Sequence, residues 1–453
     1  MVKESKVLIN EILEKERDKE IGVEDSEPVE KCITSFFDKI NLAEQFIKIL
    51  PMYYDESGLW WVWRENKLKW EMIDDVDVLN HLRFSSPVNI INAKERQETL
   101  IALRQVSRTQ KPQKTKKTWV QFDKIIVDIA TGDKFPAKSD YFITNPIPHK
   151  IGLSTDTPTL DKLFEEWVGK DYVETLYEII AYCCLSDYPL ERIFCLLGGG
   201  SNGKSCFLSL LGRFLGLNNI CSTDLNLLMK SRFESGKLRD KLACLMGETD
   251  FKDIESTQLL KKLVSGKDTI GIEYKNKGFY NYINYAKLIV ATNSLPQTSD
   301  KTVGFYRRWM IIDFPNQFPE EKDVLSGISD EELSNLSAKC IEILGRIITQ
   351  RKFTNEGDYD ERRLRYESKS NFLNEFLKNF TKESMESYIT KSEFGRRFNE
   401  WCKSERHREL SDIVISKKMK KLNIEEGKPY MKWEQNGHMI RRQVRAWNGI
   451  NWV

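Results

Sequence analysis

Histidine is scarce in this chain. The four residues His81, His149, His407 and His438 lie far apart, which argues against a histidine-based metal site. Cysteine occurs nine times, an odd count, with no C-x-x-C pair and only Cys183 and Cys184 adjacent. Scattered thiols of this kind fit a reducing compartment and argue against a disulfide framework or a zinc ribbon. Long apolar runs are also missing. Segments such as "RIFCLLGGG" and "EIIAYCCL" fall well short of the roughly 18 residues a membrane span needs. The opening "MVKESKVLINEILEKERDKE" is charged throughout and lacks a signal peptide's apolar segment, so a cytoplasmic protein with no membrane partner is expected. Nor is there a charge surplus: 70 Lys and Arg against 68 Asp and Glu leave +2. Any case for nucleic acid must rest on local patches.

What remains is a soluble globular balance, 40% hydrophobic and 30% charged, over 453 residues. That length is enough for about two to four domains. Residues 1–31 read as a short amphipathic helix and an acidic tail. Residues 32–95 carry the aromatic cluster "MYYDESGLWWVWRENKLKWEMI", which predicts a hairpin around "RENK". Trp60, Trp61, Trp63 and Trp70 suit base stacking, but such residues more often fill the core of a small domain. The basic stretch 104–117, "RQVSRTQKPQKTKK", reads as a linker or a solvated face. Strand-like alternation follows, with a turn at Thr131-Gly132-Asp133, and then a helical pattern over 157–187. Residues 190–320 alternate strand-like runs with helical stretches, the pattern of a mostly parallel, helix-covered sheet. A helix is predicted over 329–350, where Ser329 and Glu332 form a capping-box signature.

Gly198 to Ser205, "GGGSNGKS", fits G-x-x-x-x-G-K-[ST], with the strand-like "RIFCLL" before it and the helix-like "KSCFLSLLGRFL" after it. Glycines let backbone N–H groups close around a phosphate at a helix N-terminus, whose dipole favours anions. ATP and Mg2+ are therefore the expected ligands. The binding segment is Gly198, Gly199, Gly200, Ser201, Asn202, Gly203, Lys204, Ser205 and Cys206. Lys204 would reach the β- and γ-phosphates, and the Ser205 hydroxyl would ligate Mg2+. The buried-strand run Leu242 to Met246 leads to Glu248, the first choice for holding the metal and polarising the attacking water, and to Asp250, the second. A third strand, Lys287 to Ala291, ends near Asn293, an amide suited to holding that water. Arg307 and Arg308 precede a fourth strand. They read either as a solvated pair or as a finger for a neighbouring subunit's ATP site, since the guanidinium fork suits a phosphate.

This order of motifs resembles the superfamily 3 helicases of the AAA+ class, most closely the helicase part of poxvirus, phage, plasmid and mobile-island primase-helicases. The likeness covers roughly residues 50–453. It is carried by "GGGSNGKS", "RFESGKLRDKLACLMGE", "LLKKLVSGKDTIGIEYKNKGFYNY", "KLIVATNSLP" and "GFYRRW". The third element matches the family's K-x-L-x-[ST]-G-x-D at Lys261, Gly266 and Asp268, followed by a basic hairpin tip at Lys275-Asn276-Lys277-Gly278. The resemblance implies a homohexameric ring threaded by single-stranded DNA, 3′-to-5′ movement, forked duplex as substrate, and ATP held between subunits. By analogy Lys275, Lys277 and Lys261 would meet DNA. In two places the chain departs from the family. Gly247 stands where relatives often have a second adjacent acid, and no primase-like acidic triad precedes the central region, so a separate primase is expected.

Residues 391–453 hold fifteen Lys or Arg and eight acids, a local +7. Helix, basic helix and a hairpin at Asn436-Gly437 look like a winged helix. Lys417, Lys418, Lys420 and Lys421 would face DNA. The expected fold is thus α/β: an AAA+ P-loop ATPase core with a small α+β N-terminal region and a C-terminal winged-helix domain. The expected boundaries are 1–31, 32–187, 188–325, 326–385 and 386–453. The expected function is an ATP-dependent replicative DNA helicase of a mobile element in a prokaryotic host. Its rivals are an ATP-switched initiator that melts origin DNA locally and a small-molecule kinase or other monomeric P-loop enzyme; the complete set of nucleotide motifs argues against a pure binding module.

Overall fold

A computed structural model describes residues 38–84, 92–247, 257–273, 279–296, 298, 300–319, 323–370, 372–404, 409–435 and 438–453. The helix expected over 1–31 lies outside them. The chain divides into two compact units, the first drawing on residues up to 62 and on 72–111, the second on 63–71 and 112–453.

In the first unit, α1 (Lys39–Ile49) and β1 (Met52–Tyr54) are followed by β2 (Trp60–Arg64), whose first residues pair antiparallel with β1 from Met52↔Val62 to Tyr54↔Trp60. Helices α2 (Asp75–Phe84) and α3 (Ala93–Thr109) complete it. Asn92 and Glu95 form a reciprocal capping box that starts α3. Leu42, Phe46, Trp60, Val62, Val78 and Leu103 form the core of this unit. Helix α3 runs six residues, Arg104 to Thr109, into the stretch read as a linker. Arg104 pairs with Asp75 at 2.7 Å and Lys111 with Glu56 at 3.5 Å, so local acids take up that charge.

All four tryptophans of the aromatic cluster are buried with their indole N–H groups satisfied. Trp60 donates to Asp75 (2.8 Å) and Trp61 to Asp55 (2.9 Å) in the first unit. In the second unit Trp63 donates to Glu65 (2.6 Å), and Trp70 donates to the carbonyls of Ser139 (3.2 Å) and Tyr141 (3.0 Å). These rings are core, as their size and single polar handle favour, and none offers a face for stacking on a base.

The second unit begins with an antiparallel sheet of β3 (Trp119–Phe122), β4 (Ile125–Asp128) and β5 (Lys134–Pro136). The helical pattern over 157–187 folds as α4 (Pro158–Val168) and α5 (Val173–Cys183), separated at Gly169 with φ 79°. A five-stranded sheet follows, built from β6 (Ile193–Leu197), β7 (Ile220–Ser222), β8 (Ala243–Met246), β9 (Lys287–Thr292) and β10 (Trp309–Asp313). Its order is β7-β8-β9-β6-β10, and every pairing is parallel. Strands β6, β8 and β9 are buried along their whole length, as continuous apolar runs in a sheet covered on both faces demand. The fold is therefore mixed α/β with a parallel sheet at its centre.

One hydrophobic core runs from Val120 through the sheet to Tyr366. The boundaries expected near 187 and 325 both fall inside it. The long helix α6 (Asp330–Gln350) packs on α5, and the buried Glu178 ties the two together, accepting from Arg346 (2.9 Å) and Thr354 N (2.8 Å). Only half of the expected capping box forms. Ser329 accepts from Glu332 N at 3.1 Å, but the Glu332 carboxylate caps α4 instead, accepting from Leu160 N at 2.8 Å.

The C-terminal part has its own core, Phe372, Phe376, Phe394, Phe398, Ile415, Met419 and Trp447. It starts with a helix at Phe372–Phe380 and a strand at Thr381–Thr390, so a boundary at 386 would cut a strand that pairs with Ala446–Trp452. Within it lie α7 (Lys391–Ser404), α8 (Asp412–Lys421) and a hairpin of Tyr430–Gln435 with His438–Gln443.

Lys287 opens β9 fully buried. Its ammonium donates to the Leu185 carbonyl and lies 5.1 and 5.8 Å from the ring centroids of Tyr182 and Tyr188. Burial pulls its pKa down from 10.5 to about 8. Below pH 8 the folded chain carries a buried charge that the unfolded chain would solvate. Between about 8 and 10.5 the unfolded chain binds the extra proton, so this residue makes stability rise with pH there. The stability of Lys287→Met relative to wild type should therefore fall across that window by up to roughly 3 kcal/mol, read by urea denaturation at pH 7 and pH 10. A pH-independent difference between the two proteins contradicts this reading.

Candidate nucleotide site and arginine turn

The loop Gly198–Gly203 leaves the C-terminal end of β6 and enters the helix Lys204–Leu215. Its glycines answer to close approaches. A Cβ at Gly198 would lie 1.9 Å from Asn202 Nδ2 and 2.7 Å from the Phe314 carbonyl. One at Gly203, where φ is +89°, would lie 2.5 Å from the Trp167 ring. Gly200, with φ +107°, has nothing within 4 Å of its Cβ position, so open space lies on that side of the residue. The loop is held from behind. Asn202 Nδ2 donates to Phe314 O (3.1 Å), Phe318 N to Ser201 O (2.7 Å), and Gly198 N to Thr292 O (3.2 Å).

Lys204 is buried, with its ammonium folded onto its own loop. It donates to Gly198 O (2.8 Å), Asn202 Oδ1 (2.7 Å) and Asn293 Oδ1 (3.3 Å). Asn293 follows β9, which lies between β6 and β8, so the sheet order brings Lys204 and Asn293 together. Ser205 is exposed at the helix start, while Cys206 is half-buried with its thiol pKa raised by burial. Glu248 and Asp250 lie outside the described residues, as do Lys275 and Lys277. Strand β8 carries the chain to Met246, just before the two acids. The strands Thr269–Glu273 and Phe279–Ile283 pair antiparallel up to Glu273↔Phe279, on either side of residues 274–278. Among the described residues no group of His, Cys, Asp or Glu could hold a metal ion.

The two arginines lie at the opposite rim of the sheet. Ile193 N donates to Arg308 O at 2.6 Å, and Trp309 registers with Ile193. Both guanidiniums converge on Glu191, Arg307 at 2.6 Å and Arg308 at 2.7 Å. Arg307 is 45% exposed in its side chain and Arg308 only 8%. Burial lowers the pKa of Arg308, opposed by Glu191, and its Nε has no hydrogen-bond partner among the described residues. Five residues of β6 separate this rim from the loop, roughly 17 Å of strand. Neither arginine can reach its own chain's loop across that span.

Lys261 sits on the helix Gln258–Leu263, and its ammonium meets Asp300 (2.5 Å) and Thr302 Oγ1 (3.0 Å). In the C-terminal part, Lys417 and Lys420 are exposed and line a groove of about 1200 Å³ with Lys391, Arg442 and Arg445. Lys418 does not line it; its ammonium lies 5.8 Å over the Phe372 ring. Nothing is described of the Lys421 side chain.

Several partners escaped the sequence reading. Glu191, an acid just before a buried strand, was a readable signal. Lys391, Arg442 and Arg445 entered only the charge count of the basic C-terminal stretch, and Asp300 gave no signal, because only tertiary folding brings them to their places. Asp313, at the loop-side end of β10, is likewise gripped by Arg365 at 3.0 Å and Lys369 at 3.6 Å. No described helix is long and apolar enough to cross a membrane.

Comparison with known proteins gives the following. Residues 196–308 match a family of unknown function (DUF5906). No curated protein matches the sequence. Among solved structures, the chain is similar to the A-form apo structure of the NrS-1 C-terminal region, at 13% identity and TM-score 0.49, covering 89% of this chain and 98% of that one. It is also similar to an apo structure of the same region at 13% identity and TM-score 0.45, covering 91% and 99%.

Proposed function

We propose that this chain is an ATP-driven DNA helicase motor that works as a ring of identical subunits. The observation that carries this reading is the division of one parallel sheet into two chemically distinct rims. The loop, Lys204 and Asn293 stand at one rim, and Arg307 and Arg308 stand at the other. A nucleotide on the loop can meet Arg307 or Arg308 only if a second copy supplies them. In this reading Lys204 leaves Gly198 O and Asn202 for the β- and γ-phosphates, and Asn293 orients the attacking water. Mg2+, held by Ser205 and Glu248, would neutralise charge on the phosphates. The more exposed Arg307 is the better finger, with Arg308 bracing it through the shared Glu191. The hairpin of Thr269–Glu273 and Phe279–Ile283 would present Lys275 and Lys277 to the DNA backbone, and the C-terminal groove would hold duplex.

Three outcomes follow. Lys204→Ala should lower ATP hydrolysis by about a hundredfold or more and abolish unwinding of a forked DNA. Retained unwinding refutes the site, and hydrolysis without unwinding in wild type favours the initiator. Mixing Lys204→Ala with Arg307→Ala subunits should restore part of the hydrolysis each lacks alone, because mixed interfaces pair an intact lysine with an intact arginine. A mixture as inactive as its components means the arginine does not act across subunits. Finally, replacing Lys417, Lys420, Arg442 and Arg445 by Ala should flatten the salt dependence of duplex binding, by up to about 0.9 for each phosphate left without its cation. An unchanged slope removes the groove from the DNA path.

A further inference from the structure

The Lys261 ammonium has a different setting from the one its motif suggested. It is three-quarters covered and bonded to Asp300 at 2.5 Å and Thr302 Oγ1 at 3.0 Å. Asp300 is the hub. It also accepts from Thr257 Oγ1, from Thr302 N (2.9 Å) and from Thr302 Oγ1 (2.6 Å). Burial pushes its carboxyl upward, but the hydrogen bonds from Lys261, Thr257 and Thr302 outweigh it and hold the group well below the usual carboxylate range. A phosphate contact by Lys261 would break this pairing and leave the Asp300 carboxylate facing a second anion.

Each end of the cluster leads to a functional segment. Thr257 precedes the helix Gln258–Leu263. Past that helix, Ser265 Oγ accepts from Asp268 N (2.8 Å), immediately before the strand that leads to residues 274–278. On the other side, Thr302 caps the turn Val303–Tyr306, its carbonyl accepting from Phe305 N at 3.0 Å. Arg307 N then donates to Val303 O (3.1 Å), and the Arg308 guanidinium donates to Gly304 O. A Cβ on Gly304 would lie 3.8 Å from Lys261 Cε and 3.5 Å from Arg308 Nη1, so lysine and arginine flank the same glycine.

We infer that Lys261 is a positioning residue: through Asp300 and Thr302 it braces the turn that presents Arg307 and Arg308, joining the root of the hairpin to the arginines, and it makes no DNA contact. The arginines' role here rests on the proposed function, but the brace itself does not.

The test uses the full chain as wild type, Lys261→Met, Lys261→Arg, Asp300→Asn and the Lys261→Met/Asp300→Asn double variant. Three quantities are measured: amide hydrogen exchange across 303–308, the salt dependence of binding to a fluorescein-labelled oligothymidylate with a non-hydrolysable ATP analogue, and kcat and KM for DNA-stimulated ATP hydrolysis. Lys261→Met should speed exchange in 303–308 by about tenfold. It should lower kcat by about tenfold with KM within about twofold, and leave the salt slope unchanged. Asp300→Asn should do the same, and the double variant should be no worse than either single one. Lys261→Arg should recover most of the loss. A salt slope reduced by about 0.7 in Lys261→Met, with exchange unaltered, makes Lys261 a DNA contact and overturns the inference. If the wild type neither hydrolyses ATP nor binds DNA, the proposed function fails. The exchange measurement then decides the brace by itself: faster exchange in Lys261→Met supports it, and unchanged exchange overturns it.

Discussion

A parallel sheet has two unlike rims, and the rest of this chain follows from that asymmetry. Every strand of the sheet Ile193–Asp313 runs the same way. Carbonyl ends, the glycine loop and a helix N-terminus therefore gather at one side, which suits an anion. Strand starts gather at the other, and there the chain places Glu191 with two guanidiniums. Five buried residues of strand keep the two chemistries apart. An enzyme that needs both must take one of them from another molecule.

At both rims the cations are bonded within the chain. The Lys204 ammonium is occupied by a loop carbonyl and two amides, and the arginines are occupied by one carboxylate. A phosphate competes well with a neutral carbonyl for an ammonium, because charge-assisted hydrogen bonds are about twice as strong as neutral ones. The arginines' bond to Glu191 is already charge-assisted, and the half-buried pair is harder to disengage. The rims thus differ in how readily they exchange partners, with the lysine loose and the arginines firm. A brace on the arginine turn fits that division.

The local elements of this core were plain in the sequence. The helix after the loop spans Lys204–Leu215, the residues its apolar period marked, and the three motif strands stand within a residue or two of their expected ends. The loop's glycines were recognisable because backbone geometry alone demands them. Long-range pairing was not legible. Glu332 capped another helix rather than its own, and Lys261 found Asp300 some forty residues away. The sequence reads the tryptophans as more often core than stacking platforms, and all four are core, but the acceptors that satisfy their indoles, such as Asp75 and the Ser139 carbonyl, could not be named from it. Domain edges were the least visible. The core from Val120 to Tyr366 ignores the change in pattern near residue 187, and the C-terminal core recruits Phe372 from a segment that reads as an ordinary helix.

The central claim is that nucleotide binds at a seam between adjoining copies of this chain. Single-particle imaging of the protein with a non-hydrolysable ATP analogue and single-stranded DNA tests it most directly. The account predicts a closed ring with DNA in its channel and nucleotide between the Lys204 of one copy and Arg307 of the next. A monomer that encloses nucleotide within a single chain, or a ring whose seams are empty, would contradict it.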